Sequence, residues 1–233
     1  VFRDELGANL AYLDVADRST FRLADWTVEA KVLPTDLESL ADGQSASILR
    51  RVVQDTADSK LAANFELRVT RVGTNLVPEV RYVYVDDAGN GQTVSVRGSA
   101  SQASQRLPVA DDVNDPYPTK GLTHLAATCD RANSRLVLYM NGSVVTDGKF
   151  AATNRPPQSG KGARSFVRVG EGFTGFVDDV RVWSSVRSEE DIYNGMESIS
   201  NTMNSTSTNE PGLLALFSLN DGGWPAFEVK GRA

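Results

Sequence analysis

GLTHLAATCDRANSRLVLYMNGSVVTDG, residues 121–148, decides how the rest of the chain is read. Residues 122–129 are a short apolar run. The polar stretch from Asp130 to Ser134 turns the chain. Across residues 135–140, Leu136, Leu138 and Met140 share one face, and Arg135, Val137 and Tyr139 share the other. That period of two marks a half-buried strand. Asn141-Gly142 follows at once and is a strong hairpin signal, because both residues of the tight turn need positive φ. Val144 and Val145 begin the return strand. The stretch predicts an antiparallel meander with one face on a core.

The same alternation extends outward from this centre. Residues 26–33 set Trp26, Val28, Ala30 and Val32 against Thr27, Glu29 and Lys31, and Pro34 stops the run. Residues 64–72 set Phe65, Leu67 and Val69 against Glu66, Arg68 and Thr70. Residues 78–85 set Val80, Tyr82 and Tyr84 against Arg81, Val83 and Val85. Further strands are predicted at 8–16, 46–53, 92–97, 166–169, 172–183, 213–219 and 226–232. Residues 98–120 carry three prolines and few apolar side chains, and read as a long surface loop. A single short helix is expected near 188–196, with Ser188 as N-cap, Asp191 three residues on and an acidic first turn. About thirteen strands with turns between them and one small helix predict an all-β fold, a two-sheet antiparallel jelly-roll sandwich.

The chain has 233 residues and a net charge of −6, which suits one large sandwich over residues 1–233. The acidic balance argues against nucleic acid as a partner, which needs a basic face. No apolar run is long enough to span a membrane. With the single cysteine Cys129, no intrachain disulfide forms; on a strand it reads as a small buried apolar residue. The chain starts at Val1, so a segment excised from a longer protein is expected.

Five segments together resemble the laminin G-like, concanavalin A-like sandwich family. They are WTVEAKVLP (26–34), SILRR (47–51) with NFELRV (64–69), LTHLAATCDRANSRLVLYMNGSVV (122–145), GFTGFVDDVRVWSSVRSEEDI (172–192) and GLLALFSLNDGG (212–223). They stand in family order and cover most of the chain. The resemblance implies a non-catalytic extracellular or cell-surface module for recognition, adhesion or structure. Its implied partners are proteins or glycans, or further copies of itself. A carbohydrate-binding lectin-like domain is the alternative, and a glycoside hydrolase a weaker third.

Glycosidases with this fold carry clustered acids on one strand, and a retaining pair needs carboxyls about 5–5.5 Å apart. The acidic pairs here are adjacent in sequence, so no catalytic residue is assigned. His124 is the only histidine and sits on an alternating strand, which suits a structural role. Asp178 faces inward if Val180 and Val182 are core, and an inward acid must be paired or metal-bound. Asp178 and Asp179 are therefore the metal candidates, with a structural calcium as one reading and a hydrogen-bonded carboxylate as the other. Both could line one groove only if a bulge breaks the alternation. Tyr117, between two prolines, with Asp111 and Asp112 in the same loop, is the candidate ligand-binding group. Asn204 is a candidate glycosylation site in a polar stretch.

Overall fold

The computed structural model describes residues 12–16, 19–54, 61–86, 90–110, 121–150, 165–196, 210–217 and 219. Among them lie twelve strands: β1 (Leu13–Ala16), β2 (Trp26–Pro34), β3 (Ser45–Gln54), β4 (Leu61–Val72), β5 (Asn75–Val85), β6 (Gly91–Arg97), β7 (Thr123–Asp130), β8 (Arg135–Met140), β9 (Ser143–Lys149), β10 (Ser165–Val169), β11 (Gly175–Trp183) and β12 (Leu213–Phe217). The one α-helix among the described residues, α1, is Glu189–Gly195. The strands form two six-stranded sheets, ordered β1-β10-β3-β4-β5-β6 and β12-β11-β2-β7-β8-β9. Every pairing is antiparallel. This is the jelly-roll-type sandwich that the alternation predicts.

The inner faces of both sheets meet in one core. Trp26, Val28, Ala30 and Val32 from β2 pack there with Phe65, Leu67 and Val69 from β4, and with Leu136, Leu138 and Met140 from β8. Tyr82 and Tyr84 are core residues and stack at 5.6 Å, with Phe150 against both. Cys129 is buried among them, and burial pushes its thiol well above the ordinary value. Such a thiol stays protonated and unreactive.

The turn at Asn141-Gly142 has φ of 51° and 76°. Gly142 meets a second demand, because a Cβ there would lie 2.7 Å from the ring of Tyr193 in α1. That close approach lets the helix settle over the hairpin. The Ser188 hydroxyl accepts from the Asp191 N–H and Asp191 reaches back to the Ser188 N–H, closing the expected capping box.

Three differences from the sequence reading have physical causes. Strand β5 starts at Asn75, because Gly73 at φ 60° permits a tight β4–β5 hairpin that the alternation alone did not mark. Strand β11 starts at Gly175 rather than at residue 172. The register of β11 against β2 also breaks between Asp178 and Arg181, with Asp179 at φ 48°. The predicted strand over 226–232 lies outside the described residues.

Candidate functional site

The bulge in β11 decides where the candidate metal residues go. Val177, Val180 and Val182 all face the core, which requires one extra residue between Val177 and Val180. Asp178 therefore does not point inward. It pairs in register with Lys31, on the outer face of the second sheet. Asp179, only 3% exposed, occupies the bulge and bonds Lys31 at 2.9 Å. Asp178 accepts the N–H groups of Asp179 and Leu219. Burial and the Asp179 charge push its carboxyl above the usual aspartate value. Among the described residues, no three His, Cys, Asp or Glu side chains converge on a common point.

The outer face of the second sheet carries a buried ionic cluster across β2, β7 and β11. Glu29 on β2 is fully buried and meets His124 Nε2 on β7 at 3.0 Å. Arg181 on β11, 1% exposed, approaches Glu29 at 3.5 Å and Asp179 at 3.7 Å, and donates to the Gly195 carbonyl at 2.9 Å. Arg187 stacks 3.9 Å over the Trp183 ring. Burial alone would raise the Glu29 carboxyl. The His124 hydrogen bond and the charges of Arg181, His124 and Arg187 outweigh it and hold the group below its ordinary value. The cover is the chain that follows β11. Thr27 donates to the Ser185 carbonyl and accepts the Arg187 N–H, while Ile192 of α1 packs on Ala126, Val137 and Tyr139. His124 thus has a carboxylate partner, as the structural reading requires, and is itself buried.

The outer face of the first sheet is built differently. One row of side chains crosses all six strands: Asp14, Arg168, Arg50, Glu66, Arg81 and Ser95 stand opposite one another in successive registers. A second row holds Ser47, Arg68, Glu79 and Arg97. At one end Arg168 makes two parallel bonds to Asp14, at 2.6 and 2.8 Å, and its guanidinium lies 3.6 Å over the Tyr12 ring and 4.5 Å over Phe166. In the middle Arg68 donates to Glu79 at 2.6 Å, and Ser95 and Thr70 donate to the same carboxylate. Burial would raise Glu79, but these donors hold it below its ordinary value, so it stays ionised. Tyr12 and Arg97 are exposed, and Arg50, Arg68 and Arg81 reach solvent in part. Helix α1 packs on the other sheet through Ile192, and among the described residues no helix lies across this face.

Sequence reasoning did not single out this face. Its residues appear in the sequence only as the polar half of each alternation, and nothing local says that they line up in rows. Tyr117, Asp111 and Asp112 lie outside the described residues, as does Asn204.

The family model described as the concanavalin A-like lectin/glucanases superfamily matches residues 7–193. No curated protein matches the chain. Among solved structures, the chain is similar to a protein from Bacteroides ovatus whose provisional description is carbohydrate binding (TM-score 0.54, 18% identity, 94% of this chain and 52% of that one). It is similar also to the botulinum neurotoxin serotype D binding domain (0.51, 13% identity, 80% of this chain and 41% of that one). A third similar structure is the CBM40 domain of the Ruminococcus gnavus IT-sialidase (0.50, 13% identity, 79% of this chain and 95% of that one). The chain spans about half the length of the Bacteroides ovatus protein. At these identities the likeness is one of fold.

Proposed function

The chain belongs to the concanavalin A-like lectin/glucanases superfamily, and from that premise we propose that it is a non-catalytic recognition module that binds glycans outside the cell or at its surface. The outer face of the first sheet is the binding face. The observation that carries this reading is the contrast between the two outer faces. The charges gathered around Glu29 on the second sheet are buried beside α1 and its preceding loop, whereas on the first sheet Arg50, Arg68 and Arg81 reach solvent in part and Arg97 is exposed. The provisional carbohydrate-binding description of the Bacteroides ovatus protein supports a sugar as the ligand class. Sugar-binding surfaces combine planar and multiply hydrogen-bonding groups, and the face offers Tyr12, Phe166 and a set of arginines. The absence of a catalytic role rests on the clustered carboxylates being ion-paired: Glu66 and Glu79 to Arg68, Glu29 to Arg181, Asp179 to Lys31. Each of these acids is engaged by a cation of the protein itself.

A glycan array probed with the whole chain, followed by product analysis of any bound oligosaccharide, tests the reading. Binding without turnover is expected. Absence of any ligand at millimolar sugar removes glycan recognition, and hydrolysis abolished by changing one acid removes the non-catalytic assignment.

A further inference from the structure

Two arginines at the β5–β6 end of the open face each have an acid directly opposite, and neither pairs with it. Arg81 faces Glu66 across β4–β5, but Glu66 is taken by Ser47 and Arg68. Arg97 faces Glu79 across β5–β6, but Glu79 gives its oxygens to Arg68, Thr70 and Ser95. Neither Arg81 nor Arg97 has a hydrogen-bond or ion-pair partner among the described residues. The two are diagonal neighbours, because Arg81 stands opposite Ser95, two residues before Arg97. Diagonal positions of an antiparallel pair lie about 7–8 Å apart, within joint reach of one ligand for side chains this long.

A half-buried guanidinium such as that of Arg81 is costly without a counter-charge. Elsewhere on the same face each arginine is matched: Arg168 by Asp14 and Glu171, Arg50 by Glu171, and Arg68 by Glu66 and Glu79. The positive surplus therefore falls at one corner of a protein that is acidic overall. Planar guanidinium forks match the geometry of a carboxylate. Thr93, exposed on the same strand and face as Ser95 and Arg97, adds a hydroxyl suited to a sugar ring.

We propose that Arg81 and Arg97 form the carboxylate-reading subsite of this face, and that the ligand is an acidic glycan whose sugars carry uronic- or sialic-acid carboxylates. This inference rests on the glycan-binding reading above and narrows its ligand class. The remaining rows, whose arginines are all paired with acids, contribute contact area and hydrogen bonds rather than net attraction.

The test is titration of the whole chain with trigalacturonate and with a sialylated trisaccharide, each against its carboxyl-reduced counterpart, in wild type and in Arg81→Gln/Arg97→Gln. The acidic forms are expected to bind about tenfold or more tightly than the reduced forms, as one charge-assisted bidentate contact supplies. The double variant loses that preference while its melting temperature is unchanged, and Arg97→Gln alone loses part of it. Equal binding of acidic and reduced sugars overturns the inference, and so does a preference that survives the double variant. Equally tight binding of a single-stranded oligonucleotide of matched charge overturns it too, because the site would then read charge alone. If reduced or neutral sugars bind while acidic ones do not, the subsite fails and glycan recognition stands. If no sugar binds, both fail.

Discussion

Both outer faces of this sandwich are made of arginines and carboxylates set opposite one another, yet the two are not equivalent. On the second sheet Glu29, His124, Arg181 and Asp179 are nearly inaccessible, and each finds an opposite charge within the cluster. On the first sheet a similar set is laid out in rows, and two arginines at one corner are left over. The residue types are the same and the consequence differs. A closed cluster of paired charges holds a loop and helix in place, whereas an open row with a surplus of one sign is what the proposed binding face offers. What separates structure from function here is the charge left unmatched where solvent can reach it.

The largest expected effect comes from breaking the closed cluster. Glu29→Ala leaves His124 and Arg181 buried without their shared carboxylate. Removing one partner of a buried pair costs about 3–5 kcal/mol, which lowers the melting temperature of a chain this size by roughly 10 °C. Calorimetry of the variant checks it. Arg81→Gln or Arg97→Gln on the open face should stay within about 0.5 kcal/mol of wild type. A similar loss on both faces would erase the comparison.

Next in size is the seal itself. Ile192 is fully buried against Ala126, Val137 and Tyr139. Ile192→Ala is expected to cost about 2–4 kcal/mol and to open the cluster to solvent. Faster hydrogen exchange at the α1 amides, with the β4–β6 amides unchanged, would sharpen the distinction between the faces.

The pH dependence divides by sign. The Glu29 and Glu79 carboxyls are held below their ordinary value of 4.5. Their stabilising contribution is complete above that value and is lost as pH falls through the lowered folded-state values. Acid unfolding should begin below about pH 4.5, and Glu79→Gln should flatten that limb. Asp178 is raised above 3.8, so its contribution has the opposite sign. The folded state holds that proton more tightly, and stability from this group is gained as pH falls through its folded-state value and absent well above it. Asp178→Asn should therefore be neutral or stabilising at pH 7, by under about 1 kcal/mol. With Asp179 already paired to Lys31 and Arg181, millimolar calcium should move the melting temperature of wild type by under about 1 °C. A rise of several degrees that Asp178→Asn abolishes would restore the calcium reading.

The fold was largely legible because alternation is a local property. Trp26, Val28, Ala30 and Val32, or Leu136, Leu138 and Met140, announce a core face within a few residues, and Asn141-Gly142 announces its own turn. The bulge in β11 was not, since GFVDDVRVW reads equally well as a regular strand. The one local signal was Asp179 itself, an aspartate being among the few residues that accept positive φ. The arginine pair was still less visible. Arg81 and Arg97 are 16 positions apart, and they become neighbours only through the β5–β6 register. That both lack a partner depends on Ser47, Arg68, Thr70 and Ser95 engaging the facing acids first. Such competition is a property of the assembled sheet.

The account stands or falls on which face meets the ligand. The most direct measurement is a proton–nitrogen NMR spectrum of the arginine Nε–Hε groups, recorded with and without saturating trigalacturonate. The Arg81 and Arg97 signals should shift and sharpen while those of Arg181 and Arg187 stay in place. Unmoved Arg81 and Arg97 signals in a protein that binds the sugar, or shifts confined to Arg181 and Arg187, would contradict it.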